Sequence, residues 1–261
     1  MSDRSWCTDR IRRFRDVFPP AQRLGYLAWR LAKYVAKYKA PFVGRLTDGT
    51  WIMLRPEPSP DLAIAYEIMF DRVYDLPEDL APETIHRIID LGANVGYSCL
   101  YWARRCPFAK IEAFEPHPVH ADLLRWHIAR NGLGNRIGVH AAAAGTYNGT
   151  TFLTDEGENS KLAPTAAASA RTVNVAVVDF FEAVGASSID ILKIDIEGGE
   201  YAILNDPRFA GIRARLIVLE YHGRFEEMSG DIWCQNRLTE LGYTIGLDPD
   251  RQGQILRARL A

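Results

Sequence analysis

The chain has 261 residues, 48% of them hydrophobic and 25% charged, which suits one large folded domain with an appendage. The formal net charge of −2 conceals an asymmetry, because residues 1–39 carry ten Lys or Arg against three Asp, about +7, and the remainder is acidic. No apolar run approaches the roughly 18 residues that span a bilayer, and four scattered cysteines without CxxC spacing indicate neither a zinc site nor a disulfide framework.

The same features predict a location. The first residues contain no uninterrupted apolar stretch of the kind that a secretory signal needs. Cysteines at this spacing are reduced thiols by default. We therefore expect a cytoplasmic protein, and we predict no particular oligomeric state.

Residues 24–38 are predicted to form an amphipathic helix with basic residues outside its apolar stripe. The stripe consists of Leu24, Leu27, Ala28, Leu31, Val35 and Tyr38. Such a helix suits a membrane surface or an acidic partner, or it packs its stripe on the rest of the protein with the basic face in water. We favour packing over the membrane, because so short a stripe gives modest membrane affinity on its own.

A hairpin is predicted over residues 44–54, because an Asp48-Gly49 pair between apolar residues is a turn signal. Three prolines between positions 56 and 60 indicate a rigid connector, and a helix is predicted over residues 61–70. We expect residues 1–60 to form a basic helix-and-hairpin cap and residues 61–261 to form the main domain.

Strands and helices alternate after residue 84. Strands are predicted near 88–91, 111–114, 137–141, 173–177, 189–196, 216–221, 243–247 and 254–259. Helices are predicted near 97–105, 117–131, 179–184, 199–205 and 230–241. This alternation favours a mainly parallel, doubly wound α/β sheet, with the last two strands forming an antiparallel hairpin at one end.

A glycine-containing turn follows the first of these strands. Asp90 lies in that strand, and the turn contains Gly92, Asn94 and Gly96 before a helix begins. Such turns hold nucleotide-like ligands at the carboxyl edge of a sheet. Glu115 ends the next strand, where a carboxylate accepts hydrogen bonds from a ribose diol.

Two ligands fit this order of elements. A nicotinamide dinucleotide prefers the spacing G-x-G-x-x-G, which Asn94 and Tyr97 break. S-Adenosylmethionine carries positive charge in place of phosphates, and Asp90 suits that charge and would repel a pyrophosphate. The sequence therefore favours S-adenosylmethionine over a dinucleotide.

The strand predicted at 189–196 carries unusual charge. Lys193, Asp195 and Glu197 alternate with isoleucines, so all three point to one face. Charges in a central strand are costly unless they are paired or used. An ion pair without chemistry at a frayed strand end is the alternative.

The next strand ends in Glu220 and His222, which share a face and reach the same edge of the sheet. The ordinary pKa of histidine suits a general base near neutral pH. We predict His222 or Asp195 as the base, with Lys193 holding the carboxylates in place and Glu197 as a further candidate. A divalent cation on these side chains is an alternative that we do not favour.

These motifs together resemble the FkbM-type S-adenosylmethionine-dependent methyltransferases over roughly residues 60–225. The resemblance rests on four segments, at residues 90–96, 114–116, 192–200 and 220–222. It implies a class I methyltransferase fold with seven strands and a final antiparallel strand. It also implies a methyltransferase domain over 61–261 that binds S-adenosylmethionine.

The predicted donor-binding residues are Asp90, Gly92, Asn94, Gly96, Glu115, Pro116, Ala142 and Asp195. The resemblance implies O-methylation of a sugar, glycan or natural-product hydroxyl. Two other classes stay open. One is methylation of a protein or, less favoured, a nucleic acid through the basic arm at residues 1–39. The other is a non-catalytic module that binds S-adenosylmethionine.

Overall fold

A computed structural model describes residues 17–36, 40–56, 59–154, 162–163, 172–185, 187–247 and 255–260. Its centre is a seven-stranded sheet. From one edge to the other the strands are Tyr243–Leu247 (β14), Ile255–Leu260 (β15), Ala214–Glu220 (β11), Ile189–Ile194 (β10), Arg87–Leu91 (β3), Lys110–Phe114 (β4) and Ile137–His140 (β5). Only β15 runs antiparallel to its neighbours β11 and β14 within this sheet. The predicted class I methyltransferase fold, with its antiparallel C-terminal strand, is confirmed.

All the described helices except the first lie on the two faces of the sheet or beside it, and the first packs on the N-terminal hairpin. The helices are Pro20–Ala36 (α1), Asp61–Met69 (α2), Tyr97–Arg105 (α3), Pro118–Arg130 (α4), Phe180–Val184 (α5), Glu200–Asn205 (α6) and Gly230–Glu240 (α7), with 3₁₀ turns at Pro82–Thr84 and Pro207–Gly211. Neighbouring strand residues point to opposite faces, so Ile88 joins the core under α3 and α4, and Ile89 joins the core under α6 and α7. The helices predicted from residue 97 onward are confirmed.

Among the described residues, two small sheets formed after residue 140 lie outside the central one. Ala143–Gly145 (β6), Gly149–Thr154 (β7), Leu162–Ala163 (β8) and Thr172–Asp179 (β9) form a four-stranded sheet, and Arg224–Phe225 (β12) pairs with Met228–Ser229 (β13). The strand predicted at 173–177 corresponds to β9. The expectation that it belongs to the central parallel sheet was wrong, because β9 lies in the four-stranded sheet. Exposed Asn174 and Ala176 alternate with buried Val175 and Val177, whereas a central parallel strand is buried on both faces.

The predicted hairpin consists of Phe42–Arg45 (β1) and Trp51–Leu54 (β2). Two hydrogen bonds join it to the C-terminal end of α4. Nε2 of His127 accepts the Met53 amide at 2.8 Å, and Oδ1 of Asn131, the residue after the helix, accepts the Trp51 amide at 2.9 Å. In the described part of the chain, no helix is long and apolar enough to cross a membrane. The division of the chain at residue 60 stays a prediction.

Helix α1 packs on this hairpin with the opposite face from the one that we favoured. Tyr26 and Trp29 lie against Phe42, with ring centroids 5.4 and 5.7 Å away. The leucines of the stripe point outward, so α1 packs on the protein as we favoured but not through the stripe that we expected. The physical reason is that aromatic rings bury more area than leucines do, so they occupy the contact with the protein. Tyr38 and residues 1–16 lie outside the described residues.

Candidate functional site

A cavity of about 260 Å³ opens at the carboxyl ends of β3, β4, β10 and β11. These strand ends meet because β10 pairs in parallel with both β3 and β11. Seven predicted site residues line the cavity: Gly92, Asn94, Glu115, Pro116, Lys193, Asp195 and Glu197. Four others lie outside the lining: Asp90, Gly96, Ala142 and His222. The sequence therefore located the cavity but not the position of every side chain.

Position 92 requires a glycine because two main-chain segments approach each other closely there. Its φ is +78°, and a Cβ atom there would lie 1.7 Å from the carbonyl oxygen of Asp195. The amides of Gly92 and Ala93 both donate to the carbonyl of Phe114 at 3.0 Å. The turn after β3 is thus fixed against the ends of both neighbouring strands.

Gly96 serves helix packing. Its φ is +96°, and a Cβ atom there would lie 2.3 Å from Cδ1 of Leu124 in α4. Gly96 itself lies outside the lining, whereas Tyr97 and Ser98 at the start of α3 line the cavity. Ala142 is also buried outside the lining, whereas its neighbours Ala143 and Ala144 line the cavity.

The carboxylate of Glu115 is held rigidly at the end of β4. Oε2 accepts the amide of Asn94, and Oε1 accepts the amide of His117, each at 2.8 Å. Nδ1 of His120 lies 3.6 Å from Oε1. An ionised carboxylate has about four acceptor positions, so these two amide bonds leave acceptor capacity for a ligand.

Lys193 is a buried cation at the base of the cavity. Nζ lies 3.1 Å from Oδ1 of Asp90 and 3.4 Å from Oδ2 of Asp195, and it donates to the carbonyl of Gly92 at 2.9 Å. Burial lowers the pKa of Lys193, but the charges of the two aspartates raise it well above its usual value. Lys193 therefore stays charged and ties β10 to the turn after β3.

Asp90 has no exposed surface. Besides Lys193, its carboxylate accepts hydrogen bonds from Oγ of Ser98 at 2.5 Å and from Sγ of Cys99 at 3.3 Å. The structure places it behind the cavity wall as the counter-ion of Lys193. The expectation that Asp90 itself faces the charge of a ligand does not match this position.

His222 is surrounded by carboxylates. Nε2 lies 3.7 Å from Glu197, 3.8 Å from Glu220 and 3.9 Å from Asp195, and Nδ1 lies 3.4 Å from Glu200. Burial lowers the pKa of His222, but contact with Glu200 and the other negative charges raise it to about 9. An imidazolium has no free lone pair for a proton, so the raised pKa of His222 argues against the role of base that we predicted for it.

The pKa of Glu220, rather than that of His222, lies in the range that suits a general base near neutral pH. Glu220 lines the cavity at the end of β11. Burial and the charge of Asp195 raise the pKa of Glu220 to about 7, although Lys193 and His222 oppose the rise. Sequence reasoning placed Glu220 at this edge but left it out of the predicted catalytic set. The signal that could have found it was its position at a strand end beside Asp195.

Ligand atoms of Asp195, Glu220 and His222 lie within 4.8 Å of one another, close enough for a shared divalent cation. The same short distances also suit an ion cluster, in which the carboxylates stabilise the charged form of His222. The geometry alone therefore admits both a cation site and an ion cluster.

The cavity lining includes a set of apolar side chains, here called the apolar wall, that come largely from outside the strand ends, together with the charged Glu67. The residues of the apolar wall are Ile64, Ile68, Val73, Tyr74, Leu153 and Ile255. Lys193 Nζ lies 5.7 Å from the centre of the Tyr74 ring, and burial raises the pKa of Tyr74 well above its usual range. Among the described residues before position 61, none belongs to the lining. No periodic pattern in the sequence indicated Val73 or Tyr74.

Residues 90–245 match the methyltransferase FkbM domain family. The protein named methyltransferase sdnD from Sordaria araneosa is 30% identical over 172 residues, covering 53% of this chain and 65% of that protein. This chain thus spans just under two thirds of the length of that curated relative.

Solved structures with a related fold share little sequence. A methyltransferase from Geobacter sulfurreducens is 16% identical with a TM-score of 0.43, covering 79% of this chain and 93% of that one. M. jannaschii TYW2, in complex with AdoMet, is 12% identical with a TM-score of 0.45, covering 85% and 84%. An O-methyltransferase family protein from Burkholderia thailandensis is 14% identical with a TM-score of 0.44, covering 75% and 56%.

Proposed function

The chain belongs to the FkbM methyltransferase family, and from this premise we propose that it transfers a methyl group from S-adenosylmethionine to a hydroxyl of a small molecule, sugar or glycan. The observation that carries the proposal is Glu220, a carboxyl group with a pKa of about 7 in the cavity that also contains Glu115. A group with this pKa suits proton removal near neutral pH.

The donor end of the cavity fits S-adenosylmethionine. Gly92, Asn94, Glu115 and Pro116 would hold its nucleoside, because Glu115 keeps acceptor capacity for a ribose diol. The lining contains five carboxylates and one lysine, Lys193, and this excess of negative charge supports a cationic ligand over a pyrophosphate. When bound, S-adenosylmethionine supplies an electrophilic methyl group.

Glu220 is the proposed general base. It would accept the proton of the acceptor hydroxyl as that oxygen bonds to the methyl carbon, the methyl–sulfur bond breaks and S-adenosylhomocysteine leaves. Asp195 and Glu197 would orient the acceptor and hold the charge of His222, and Lys193 would keep the turn after β3 in place. In-line alignment of acceptor oxygen and methyl carbon supplies much of the rate in such transfers.

The apolar wall supports an acceptor with a hydrophobic part. Ile64, Ile68, Val73 and Tyr74 precede the segment that matches the family, and Ile255 follows it. We assign acceptor selection to this wall.

Calorimetry tests the donor. S-Adenosylhomocysteine should bind the wild-type protein, and Gly92→Val should abolish binding because the added side chain meets the Asp195 carbonyl. Gly138→Ala is the matched control, since a Cβ atom there has no heavy atom within 4 Å. Binding of NADH in place of S-adenosylhomocysteine would instead indicate a dehydrogenase.

A methyl-transfer screen tests the acceptor. The protein is incubated with S-adenosylmethionine labelled in its methyl group and with separate sets of sugars, glycans, hydroxylated natural products, proteins and RNA. We expect label in a hydroxyl-bearing small molecule or glycan, at an O-methyl position that NMR identifies. Label in protein or RNA alone would overturn the proposed acceptor class, and donor binding without any transfer would favour a non-catalytic module.

A further inference from the structure

Over residues 20–32, where its side chains are described, the outward face of α1 is apolar. Between positions 20 and 31, every residue of α1 that is exposed is uncharged and apolar: Pro20, Ala21, Leu24, Gly25, Leu27, Ala28 and Leu31. The exposed fractions of the three leucines are 76%, 45% and 64%. A helix on a protein surface normally turns its polar residues to water. This face is therefore suited to contact an apolar surface.

Contacts on the other side of α1 fix this orientation. Tyr26 stacks on Phe18 with ring centroids 5.2 Å apart and meets Phe42 edge-on at 5.4 Å. Nε1 of Trp29 donates to the carbonyl of Ala40 at 2.7 Å. Rotation of α1 to bury the leucines would break these contacts, so the leucine face stays outward.

Positive charge accompanies the apolar face. Arg23 and Arg30, seven residues apart, lie along one flank of it and are half-buried. Residues 1–39 as a whole carry ten Lys or Arg against three Asp, whereas the rest of the chain is acidic. An aliphatic face within a basic stretch of sequence complements a surface that is apolar inside and negatively charged at its boundary.

We propose that α1 docks along its leucine face on an anionic lipid surface. Helices with one apolar and one basic side lie in the plane of a bilayer, with the apolar side chains among the headgroups and upper acyl chains. Anionic lipids attract basic residues near the surface. At 17 residues, α1 is about 25 Å long and presents its leucines on successive turns.

A protein partner fits this face less well. Protein interfaces are enriched in aromatic residues and methionine at their buried centres, and leucine is under-represented among the residues that dominate binding. Tyr26 and Trp29 point inward, so over residues 20–32 the outward face of α1 offers small and aliphatic side chains. A fluid lipid surface needs no shape match to such a face.

Vesicle flotation with the full chain tests the proposal. We compare vesicles of phosphatidylcholine alone with vesicles of equal phosphatidylcholine and phosphatidylserine. The wild-type protein should float with the mixed vesicles and bind the neutral ones more weakly. The triple variant Leu24→Gln, Leu27→Gln, Leu31→Gln should lose at least about tenfold in vesicle affinity.

The matched control removes three other exposed apolar side chains, in Phe108→Gln, Val119→Gln, Ile232→Gln, and should bind vesicles as the wild type does. If the triple leucine variant fails to fold by circular dichroism, the single variants Leu24→Gln and Leu31→Gln replace it. A wild type that floats with neither vesicle, or a leucine variant that floats as well as the wild type, would overturn the proposal. So would a dimer in sedimentation that only the leucine variant disrupts, without vesicle binding.

Discussion

Nδ1 of His222 lies 3.4 Å from Oε1 of Glu200, a carboxylate without exposed surface. The same carboxylate accepts the amides of Gly198 and His222 at 2.8 Å each. Glu200 thus joins the segment after β10 to the segment after β11 and provides the largest of the influences that raise the pKa of His222. The imidazolium and the acids around it therefore form one charged unit.

Glu200→Gln should lower the pKa of His222 from about 9 by at least about one unit. The substituted amide keeps the shape of the side chain but removes the negative charge nearest Nδ1. NMR titration of the His222 ring measures the change. Glu227→Gln, at an exposed carboxylate of the β12–β13 turn, is the control and should leave the titration unchanged. An unchanged His222 pKa in Glu200→Gln would contradict the assigned ion partner.

The raised pKa of His222 also predicts how stability depends on pH. The folded value is about 9 and the ordinary value is 6.5, so the stabilising contribution is complete below about pH 6.5 and is lost as the pH rises through about 9. The contribution is about 2 kcal/mol after allowance for solvent screening. Denaturant unfolding of wild type and His222→Gln should show curves that converge towards pH 10. Parallel curves from pH 6 to pH 10 would contradict a raised pKa.

Glu220→Gln should reduce kcat by about 10²- to 10⁴-fold, which is the usual contribution of a general base to the rate. The variant should bind S-adenosylhomocysteine as tightly as the wild type does. In the wild type, the rate should rise with pH through about 7, because the base must first lose its proton. This rise should disappear in the variant, with Glu227→Gln again as the control. A variant with wild-type kcat and the same pH profile would exclude Glu220 as the base.

Lys193→Met should destabilise the fold by about 3–5 kcal/mol, because Asp90 would keep a buried charge without its partner. Adding Asp90→Asn to Lys193→Met should restore part of the loss, since it removes that charge. Urea unfolding of the two single variants and the double variant measures the coupling. Independent, additive losses would show that the pair does not interact energetically.

Much of the fold was readable from the sequence because it depends on periodicity. Alternating strand and helix patterns after residue 84 predict the parallel sheet, and the parallel order brings Glu115, Asp195 and Glu220 to one edge. Gly92 was also identifiable, since a glycine directly after an apolar strand marks a sharp turn.

Other features depend on contacts between distant segments. Gly96 is explained by Leu124, and the charge of His222 by Glu200, a residue whose burial no local pattern shows. The orientation of α1 was decided by competition between two apolar faces, and the helical period does not rank them. The aromatic face packs against Phe18 and Phe42. The sequence does not indicate that these two residues lie beside it.

His127 provides a last prediction, because it connects the N-terminal hairpin to the turn of the candidate site. Nε2 accepts the Met53 amide at 2.8 Å, and Nδ1 lies 2.7 Å from the carbonyl of Val95 and donates to it. The ring is therefore required in its neutral form. Burial lowers the pKa of His127 to about 4, against a smaller opposing effect of the Val95 carbonyl.

A lowered histidine pKa stabilises the protein above about pH 6.5, and this contribution is lost as the pH falls through about 4, because the unfolded chain binds the proton first. The loss for His127 should reach about 3 kcal/mol. His127→Gln should be less stable than the wild type at pH 7 and should lose less stability between pH 6.5 and pH 4. His86→Gln, at an exposed histidine, is the control and should follow the wild type. If His127→Gln and wild type lose stability in parallel as the pH falls, His127 does not hold the hairpin in its neutral form.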